Sequence, residues 1–208
     1  MTEIVLVRHG ETQLNTEGVF RGRTDVPLNE RGVEQAAAVG EALADPRVAA
    51  VYSSPMVRAL DTARAIASKH GLEPVVDPAF NNIDLGAWQG GWKEQVKRDH
   101  PDLWRLWLEN PDALRIPGGE TLGQVRARSY ARALELAREH TDERIVIVSH
   151  RSVTKLLAGA LLGLERGYFW SFYIDNAGYS VFGFNEDAFI LLKWNEGCHL
   201  GERTVEFN

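Results

Sequence analysis

The sequence contains a single cysteine, Cys198, among 208 residues. One thiol cannot form an intramolecular disulfide, and a chain of this kind is typical of a reducing compartment. Neither paired cysteines nor an H-E-x-x-H motif occurs, so the usual zinc sites are not indicated. Since no signal peptide precedes Glu3, the expected location is the cytoplasm.

Long apolar stretches and an excess of positive charge are also missing. No apolar run reaches the roughly 18 residues that a membrane-spanning helix requires. The chain has 23 lysines and arginines against 29 aspartates and glutamates, a formal net charge of −6. Because phosphate backbones select basic surfaces, nucleic acid is not expected as a partner, and neither is a membrane. A small cationic pocket is still compatible with this balance.

Signatures of several other enzyme classes are absent as well. The sequence has no G-x-S-x-G elbow of serine hydrolases, no dinucleotide-binding fingerprint and no P-loop. No internal repeat or low-complexity tract divides it. With 44% hydrophobic and 25% charged residues, the composition is that of an ordinary globular protein. We therefore predict a single domain over residues 1–208.

Short apolar runs alternate with helical patterns along the chain. The predicted strands are Ile4–Val7, Val48–Tyr52, Ile145–Val148, Tyr179–Phe184 and Phe189–Trp194. The first and third runs are continuously apolar, which is typical of strands covered on both faces. This alternation predicts an α/β fold, a three-layer α/β/α sandwich with a mainly parallel central sheet.

Capping residues predict where the helices begin and end. Four helices are predicted: Asn29 to about Ala44, Ser54 to about Gly71, Thr121 to about His140 and Ser152 to Leu162. Pro55 is tolerated in the first helical turn, and Gly71 suits the left-handed position that ends a helix.

The segment between Gly86 and Gly119 interrupts this alternation. It holds four of the six tryptophans, Trp88, Trp92, Trp104 and Trp107, among charged residues. A helical excursion that packs its aromatic rings on the body accounts for this pattern, and so does a lid over a functional site. The two interpretations are compatible, and we predict that residues 86–119 form a small helical lid insertion.

Charged and titratable residues follow three of the predicted core strands. Arg8 and His9 end the first strand, and Arg58 is expected about one turn into the helix after the second. His150 ends the strand IVIVSH, immediately before a helix. Because ligands bind outside the carboxyl ends of strands in open parallel sheets, these four residues are expected to meet.

Two arginines and two histidines together suit a tetrahedral anion. Guanidinium groups form forked, charge-assisted hydrogen bonds with phosphate. The free amides at the start of the helix after His150 also favour negative charge. An imidazole held among cations stays neutral, and its ring nitrogen can then act as a nucleophile. The sequence therefore predicts a bound phosphoryl group at this end of the sheet.

In their order along the chain, these residues resemble the histidine phosphatases, a family that includes the cofactor-dependent phosphoglycerate mutases. The matching stretches are LVRHGET with Asn15, VFRGRTDVPLNERGVEQA, VYSSPMVRALDTA, PGGET, IVIVSHRSV, IDNAGYSVFGF and WNEGCHL. The resemblance covers nearly the whole chain. It implies a phosphohistidine enzyme that needs no metal or other cofactor and acts on a small phosphorylated metabolite.

The resemblance also implies roles for individual residues. His9 would be the nucleophile, and Arg8, Arg58 and His150 would form the catalytic pocket around the phosphorus atom. The implied substrate or phosphate contacts are Asn15, Arg21 and Gly22. Phosphoryl transfer depends mostly on positioning and on electrostatic stabilisation, which agrees with this cationic set.

Asn82 departs from the family pattern, which has a glutamate before ID-x-G as proton donor to the leaving oxygen. A carboxamide cannot act as a general acid near neutral pH, and such help is worth about 10²–10⁴ in rate. Asp84 shares a face with Asn82, about 6.6 Å further along, but is expected to be structural. Alternatively, the proton comes from substrate or water, the leaving group needs none, the protein is inactive, or Asn82 is a deliberate substitution.

Arg151 is the second departure, because the family has glycine after the second histidine. Its side chain is either a third cation for the ligand or a solvated group that points away. We include Arg151 and Asn82 among the predicted substrate-binding residues.

Three functions remain open at this point. The preferred one is a phosphatase that hydrolyses small phosphate monoesters through a phosphohistidine on His9. The second is a mutase of the 2,3-bisphosphoglycerate-dependent type, and the third is a non-catalytic binder of a phosphorylated ligand. Water exclusion decides between the first two, and the short Gly86 to Gly119 segment favours the phosphatase. A homodimer is the expected assembly by analogy.

Overall fold

The computed structural model describes residues 1–44 and 46–201, so positions 45 and 202–208 of the predicted domain lie outside the described part. A six-stranded sheet runs through its centre. The strands are β1 (Thr2–Arg8), β2 (Ala50–Ser53), β3 (Val75–Val76), β4 (Arg144–Ser149), β5 (Tyr179–Asn185) and β6 (Ala188–Glu196). Their order across the sheet is β3-β2-β4-β1-β5-β6.

The four strands from β3 to β1 are parallel to one another. β1 pairs with β4 from Glu3–Arg144 to Arg8–Ser149, and β4 pairs with β2 in the same direction. β5 runs antiparallel to β1 and forms a hairpin with β6. The carboxyl ends of β1, β2 and β4 therefore meet at one edge of the sheet.

Helices cover both faces of the sheet. The α-helices of the described residues are α1 (Gln13–Thr16), α2 (Glu30–Ala42), α3 (Val57–Ala67), α4 (Lys93–Asp99), α5 (Pro101–Glu109), α6 (Leu122–Glu139) and α7 (Arg151–Leu161). α6 and α7 pack on the face that contains Ile4 and Leu6 of β1. α2 and α3 pack on the opposite face, against Val5 and Val7. The predicted α/β sandwich with a mainly parallel sheet is confirmed. Within the described ranges, no helix is long and apolar enough to cross a membrane.

The predicted capping residues act as expected in α2 and α6. The Asn29 side chain accepts a hydrogen bond from the Gly32 amide at 2.8 Å. Thr121 and Gln124 form a reciprocal capping box at the start of α6. These side chains satisfy amides that have no partner within the helix, which is why both helices begin at the predicted places.

The predicted start of α3 is wrong by three residues. The helix begins at Val57 rather than at Ser54, and the Val57 amide donates to Oδ1 of Asp25 at 2.9 Å. A carboxylate from a distant segment therefore satisfies the helix terminus. At the other end, Gly71 adopts the expected left-handed conformation, with φ of 67°.

Two differences concern the strands. β2 begins at Ala50, two residues later than predicted, and β3 is not predicted at all. β3 consists of two exposed valines, Val75 and Val76, and is too short to show the pattern of a strand.

The segment of residues 86–119 carries the helices α4 and α5. Besides α4 and α5, it contains short 3₁₀ turns at Gly86–Trp88 and Pro111–Ala113. Trp88 is buried in a third apolar cluster together with Phe20, whereas Trp92 is 55% exposed. Trp104 and Trp107 pack partly buried against the same cluster.

Candidate active site

Arg8 and His9 lie at the carboxyl end of β1 and are both buried. The loop that precedes β5 holds them in place. The Arg8 Nη1 donates to the carbonyl oxygen of Ile174 at 2.8 Å. The Ala177 amide donates to the Arg8 carbonyl at 3.0 Å, and Asn176 Nδ2 donates to the His9 carbonyl at 3.1 Å. The position of His9 is therefore fixed by a segment that is far away in the sequence.

The ring of His9 has one nitrogen engaged with the backbone. Nδ1 lies 2.6 Å from the Gly10 carbonyl oxygen, so Nδ1 carries the proton and Nε2 keeps its lone pair. Burial, together with the positive charge of Arg58 and the proximity of His150 and Arg8, lowers the pKa of His9 well below its usual value. The neutral ring keeps the lone pair of Nε2 available at physiological pH.

His150 follows β4 and is the N-cap residue of α7. Its ring meets the His9 ring edge-on, with the centroids 5.1 Å apart. Nε2 lies 2.7 Å from Oγ of Ser54, a hydroxyl that also accepts from the Met56 amide. Nδ1 is buried and has no hydrogen-bond partner among the described residues. In the tautomer whose Nε2 accepts from the Ser54 hydroxyl, Nδ1 carries the ring proton and can donate to an oxygen of a bound phosphoryl group.

Burial and the nearby charges also affect the titration of His150. Desolvation is the main cause, followed by the positive charges of Arg58 and Arg21, and together they lower the pKa of His150 well below its usual value. Both imidazoles of the site are consequently neutral near pH 7, and the arginines supply its positive charge.

Arg58 is the second residue of α3, slightly earlier than the predicted position one turn into the helix. Its Nη1 donates to the Thr24 carbonyl at 2.9 Å, and its Nη2 donates to the Gly22 carbonyl at 3.2 Å. Burial lowers the pKa of Arg58 to about 10, so the guanidinium stays charged at neutral pH. Arg58 thus anchors the loop that follows α1 and also places a positive charge beside His9.

Asn82, which the motif is predicted to place where the family has its acid, is bonded to backbone at both ends of its carboxamide. Nδ2 donates to the Gly22 carbonyl at 2.7 Å, and Oδ1 accepts from the Ile83 amide at 2.9 Å. The Asn82 carbonyl accepts from Nε of Arg23 and from Nη2 of Arg128. Asn82 therefore links several segments around the site and provides no acidic proton.

Asp84, the nearest alternative acid, makes structural contacts. Its Oδ1 accepts from the Gly86 amide at 2.9 Å, and its Oδ2 lies 3.5 Å from Nη1 of Arg23. Asp84 is not among the residues that line the cavity beside His9. These contacts agree with the predicted structural role.

A cavity with about 810 Å³ of space opens beside His9, part of it continuous with solvent. Its polar lining contains the basic and imidazole side chains Arg8, His9, Arg21, Arg58, Lys93, His150 and Arg151. Its apolar lining contains the aromatic side chains Phe20, Trp104, Trp107, Phe169 and Trp170. A phosphoryl group suits the first set, and the carbon skeleton of a phosphate ester suits the second.

The predicted site residues converge on this cavity, with one exception. Gly22, Asn82 and Arg151 line it together with the catalytic candidates. Asn15 does not line it, and its Oδ1 accepts from the amide and the hydroxyl of Thr12, at 2.9 Å and 2.8 Å. The assignment of Asn15 as a substrate contact therefore stays a prediction.

Three residues near the site are not predicted from the sequence. Ser54 is expected only to start a helix, although its hydroxyl bonds to His150. Asn176 lies within the IDNAG stretch, which is the only sequence signal it gives. Lys155 lies in an apolar helical run, where a charged residue is unusual. Within the described chain, no cluster of three or more His, Cys, Asp or Glu residues is arranged to hold a metal ion.

These features define a class of site: a neutral, buried histidine beside a cationic pocket at the carboxyl edge of an α/β sandwich. The model of the histidine phosphatase superfamily, branch 1, matches residues 4–197. The chain belongs to this superfamily, and the resemblance seen in its motifs is confirmed.

Individual relatives are similar over nearly their whole length. Phosphoserine phosphatase 1 of Hydrogenobacter thermophilus is 37% identical over 206 residues, which cover 99% of this chain and 98% of that one. The structure of Bacillus stearothermophilus YhfR matches with a TM-score of 0.92 and 26% identity, covering 96% of this chain and 100% of that one. A phosphoserine phosphatase of Entamoeba histolytica, in complex with 3-phosphoglyceric acid, matches with a TM-score of 0.87 and 29% identity over the same shares. The predicted class of enzyme, a phosphomonoesterase, is confirmed by these relatives.

Proposed function

We propose that the protein is a phosphoserine phosphatase that works through a phosphohistidine on His9. Relatives at 37% and 29% identity carry the name phosphoserine phosphatase. The observation that carries the proposal is the His9 ring, whose Nδ1 is committed to the Gly10 carbonyl while Nε2 is left to attack. The cationic lining of the cavity gives a phosphoryl group its place beside that nitrogen.

In the first step, Nε2 of His9 forms a bond to phosphorus as the ester P–O bond breaks. The ring becomes positively charged, and the hydrogen bond from Nδ1 to the Gly10 carbonyl stabilises that charge. Arg8, Arg58 and the Nδ1 proton of His150 interact with the oxygens of the transferring group. The leaving serine oxygen takes its proton from water, because Asn82 has none to give.

In the second step, a water molecule attacks the phosphorus atom and the P–Nε2 bond breaks. The product H2PO4⁻ gives one proton to the hydroxide left by the first step and leaves as inorganic phosphate, and His9 returns to its neutral form with the proton still on Nδ1. The same cationic groups stabilise this transition state, since the charge on the phosphoryl oxygens is similar.

The segment of residues 86–119 is proposed to act as the lid of this site. Trp104, Trp107 and Leu108 of α5 line the cavity, and Lys93 at the start of α4 does so too. The segment leaves the cavity partly open to solvent, which supports hydrolysis over transfer to a second alcohol.

Trapping the intermediate tests the proposal directly. L-phosphoserine labelled in its phosphoryl group is mixed with the enzyme and quenched in alkali, and bound label is measured. We expect label that is stable in alkali and lost in acid, absent from His9→Ala and retained in His100→Ala, which changes an exposed histidine. No bound label would refute the phosphohistidine, and turnover that requires a bisphosphorylated primer would indicate the mutase instead.

A further inference from the structure

Lys155 is a buried lysine whose ammonium group has no anionic partner within the described part of the chain. It lies in the second turn of α7, and its side chain is 2% exposed. Nζ lies 5.2 Å from the centre of the Phe169 ring and 5.0 Å from the centre of the Trp170 ring. The charges that act on it are both positive, those of Arg151 and Arg8. Among the residues that the structure describes, it makes ring contacts but no hydrogen bond to a carboxylate or carbonyl oxygen.

A buried ammonium group of this kind is destabilising unless an opposite charge compensates it. The faces of two aromatic rings compensate only part of the cost. Burial, with the positive charges of Arg151 and Arg8, lowers the pKa of Lys155 to about 7. An anion bound nearby would favour the charged form of Lys155. The free protein therefore has a buried cation whose charge a bound anionic ligand would compensate.

The surroundings of Lys155 connect it to the substrate cavity. Phe169 and Trp170, the two rings that contact Nζ, both line that cavity. Arg151 lines it as well and lies four residues before Lys155, on the same face of α7. Trp107 packs edge-to-face on both rings, and its carbonyl accepts from Nε1 of Trp170. Lys155 itself does not line the cavity; its ammonium group lies against two rings that do, and not among the groups that surround His9.

We propose that Lys155 determines specificity by selecting phosphate monoesters whose alcohol part carries a second anionic group, such as a carboxylate. The inference rests on the proposed function, since it assigns the carbon skeleton to the aromatic side of the same cavity. The carboxylate lies on the side of the cavity formed by Phe169 and Trp170, where its charge compensates that of the ammonium group packed against these rings, and the phosphoryl group occupies the arginine pocket beside His9. A substrate without the second anion leaves the charge of Lys155 uncompensated, so Lys155 adds nothing to the binding of that substrate.

Two substrates that differ only in the carboxylate test this inference. L-phosphoserine carries one, and phosphoethanolamine is the same molecule without it. We expect Lys155→Met to lower kcat/KM for phosphoserine by about 10- to 100-fold, the ordinary effect of losing a charged hydrogen bond, mainly through KM. The value for phosphoethanolamine is expected to change less than about twofold, and Lys155→Arg to retain a large part of the preference.

Several outcomes would overturn the proposal. An equal fall for both substrates would show that Lys155 only supports the wall, and no fall for either would show that it does not contact the ligand. If Lys155→Met does not fold, the preference is measured in the wild type below and above about pH 7. The preference should weaken as the pH rises and Lys155, which has Arg151 and Arg8 beside it, loses its proton. A preference that stays constant would contradict the proposal.

A second pair of substrates separates this inference from the proposed function. Phenyl phosphate and 4-carboxyphenyl phosphate have good leaving groups and do not depend on recognition of serine. If phosphoserine is not hydrolysed but Lys155→Met abolishes a preference for 4-carboxyphenyl phosphate, phosphoserine is the wrong substrate and Lys155 keeps its role. If the wild type shows no preference within either pair, the role of Lys155 is refuted.

Discussion

The side-chain amide of Asn82 donates a hydrogen bond to the carbonyl oxygen of Gly22 over 2.7 Å. The same oxygen accepts from Nη2 of Arg58. One carbonyl therefore connects Asn82 with an arginine of the candidate site. A change at residue 82 acts both on proton donation and on the loop that Arg58 holds.

Restoring an acid is expected to raise activity selectively. Asn82→Glu should increase kcat on alkyl phosphates such as phosphoserine, because their leaving oxygen is strongly basic and benefits from a proton donor. Full general acid help is worth about 10²–10⁴. We expect a gain of at least about tenfold, since the lost bond to Gly22 offsets part of it. Turnover of 4-nitrophenyl phosphate should change little, because its leaving group needs no proton.

Asn82→Gln is the matched control for this experiment. It has the length of glutamate and lacks the acidic proton, so it reports the effect of the longer side chain on the loop at Gly22. The hypothesis of a missing acid fails if Asn82→Gln raises the alkyl rate as much as Asn82→Glu does, or if neither variant raises it.

Replacing Arg58 by lysine should lower both the rate and the stability. Lysine keeps the charge but cannot bond to the Gly22 and Thr24 carbonyls at once. We expect kcat to fall about 10²–10³-fold, as for the loss of one preorganised donor. The unfolding free energy should fall by about 1–3 kcal/mol, because the forked contact with the Thr24 and Gly22 carbonyls is lost and the Gly22 carbonyl keeps only its bond from Asn82. Arg64→Lys, on the exposed side of the same helix, should leave both quantities nearly unchanged.

The stability of the protein should decrease as the pH falls below the ordinary histidine range. The folded state lowers the pKa of His9 and of His150, mainly by burial. Below the unfolded value of 6.5, the unfolded chain binds protons that the folded chain does not, so the free energy of unfolding falls. Each histidine contributes a slope of at most about 1.4 kcal/mol per pH unit.

Thermal unfolding measured between about pH 8 and about pH 5 checks this expectation. His150→Asn should reduce the slope below pH 6.5, because one of the two depressed titrations is gone. A wild-type stability that stays constant over this range would show that the two imidazoles are not held neutral.

The rule that ligands bind outside the carboxyl ends of parallel strands is sufficient to predict the centre of the site. Arg8, His9 and His150 each follow a continuous apolar run, and parallel pairing of β1 with β4 brings those ends together. Arg58 follows from the same rule, although its exact place in α3 depends on Asp25 from another segment. Local patterns therefore fix which strand end a residue occupies, but not which distant group caps the next helix.

Residues that act through tertiary contacts could not be predicted. Asn176 donates a hydrogen bond to the His9 carbonyl, although the two residues are 167 positions apart in the sequence. No local sequence pattern predicts this contact. In the sequence, Lys155 is a single charged residue in an apolar helix. Its contacts with Phe169 and Trp170 are formed only in the folded structure. For Asn15 the motif implies a ligand contact, whereas in the structure its side chain bonds to Thr12.

Adding a methyl group at Gly22 should impair catalysis as well as stability. Gly22 has φ of +49°, and a Cβ there would lie 2.8 Å from Oε1 of Gln89, so either the loop or the Gln89 side chain, which accepts from the Arg23 amide, must shift. Gly18 is the matched control, because Gly18→Ala has the same left-handed strain, at φ of +65°, with nothing within 4 Å. Both variants should lose about 1 kcal/mol or more of unfolding free energy. Only Gly22→Ala should also lower kcat, by about tenfold for a small misplacement of Arg58. Equal kcat in the two variants would show that the Gly22 carbonyl does not position that arginine.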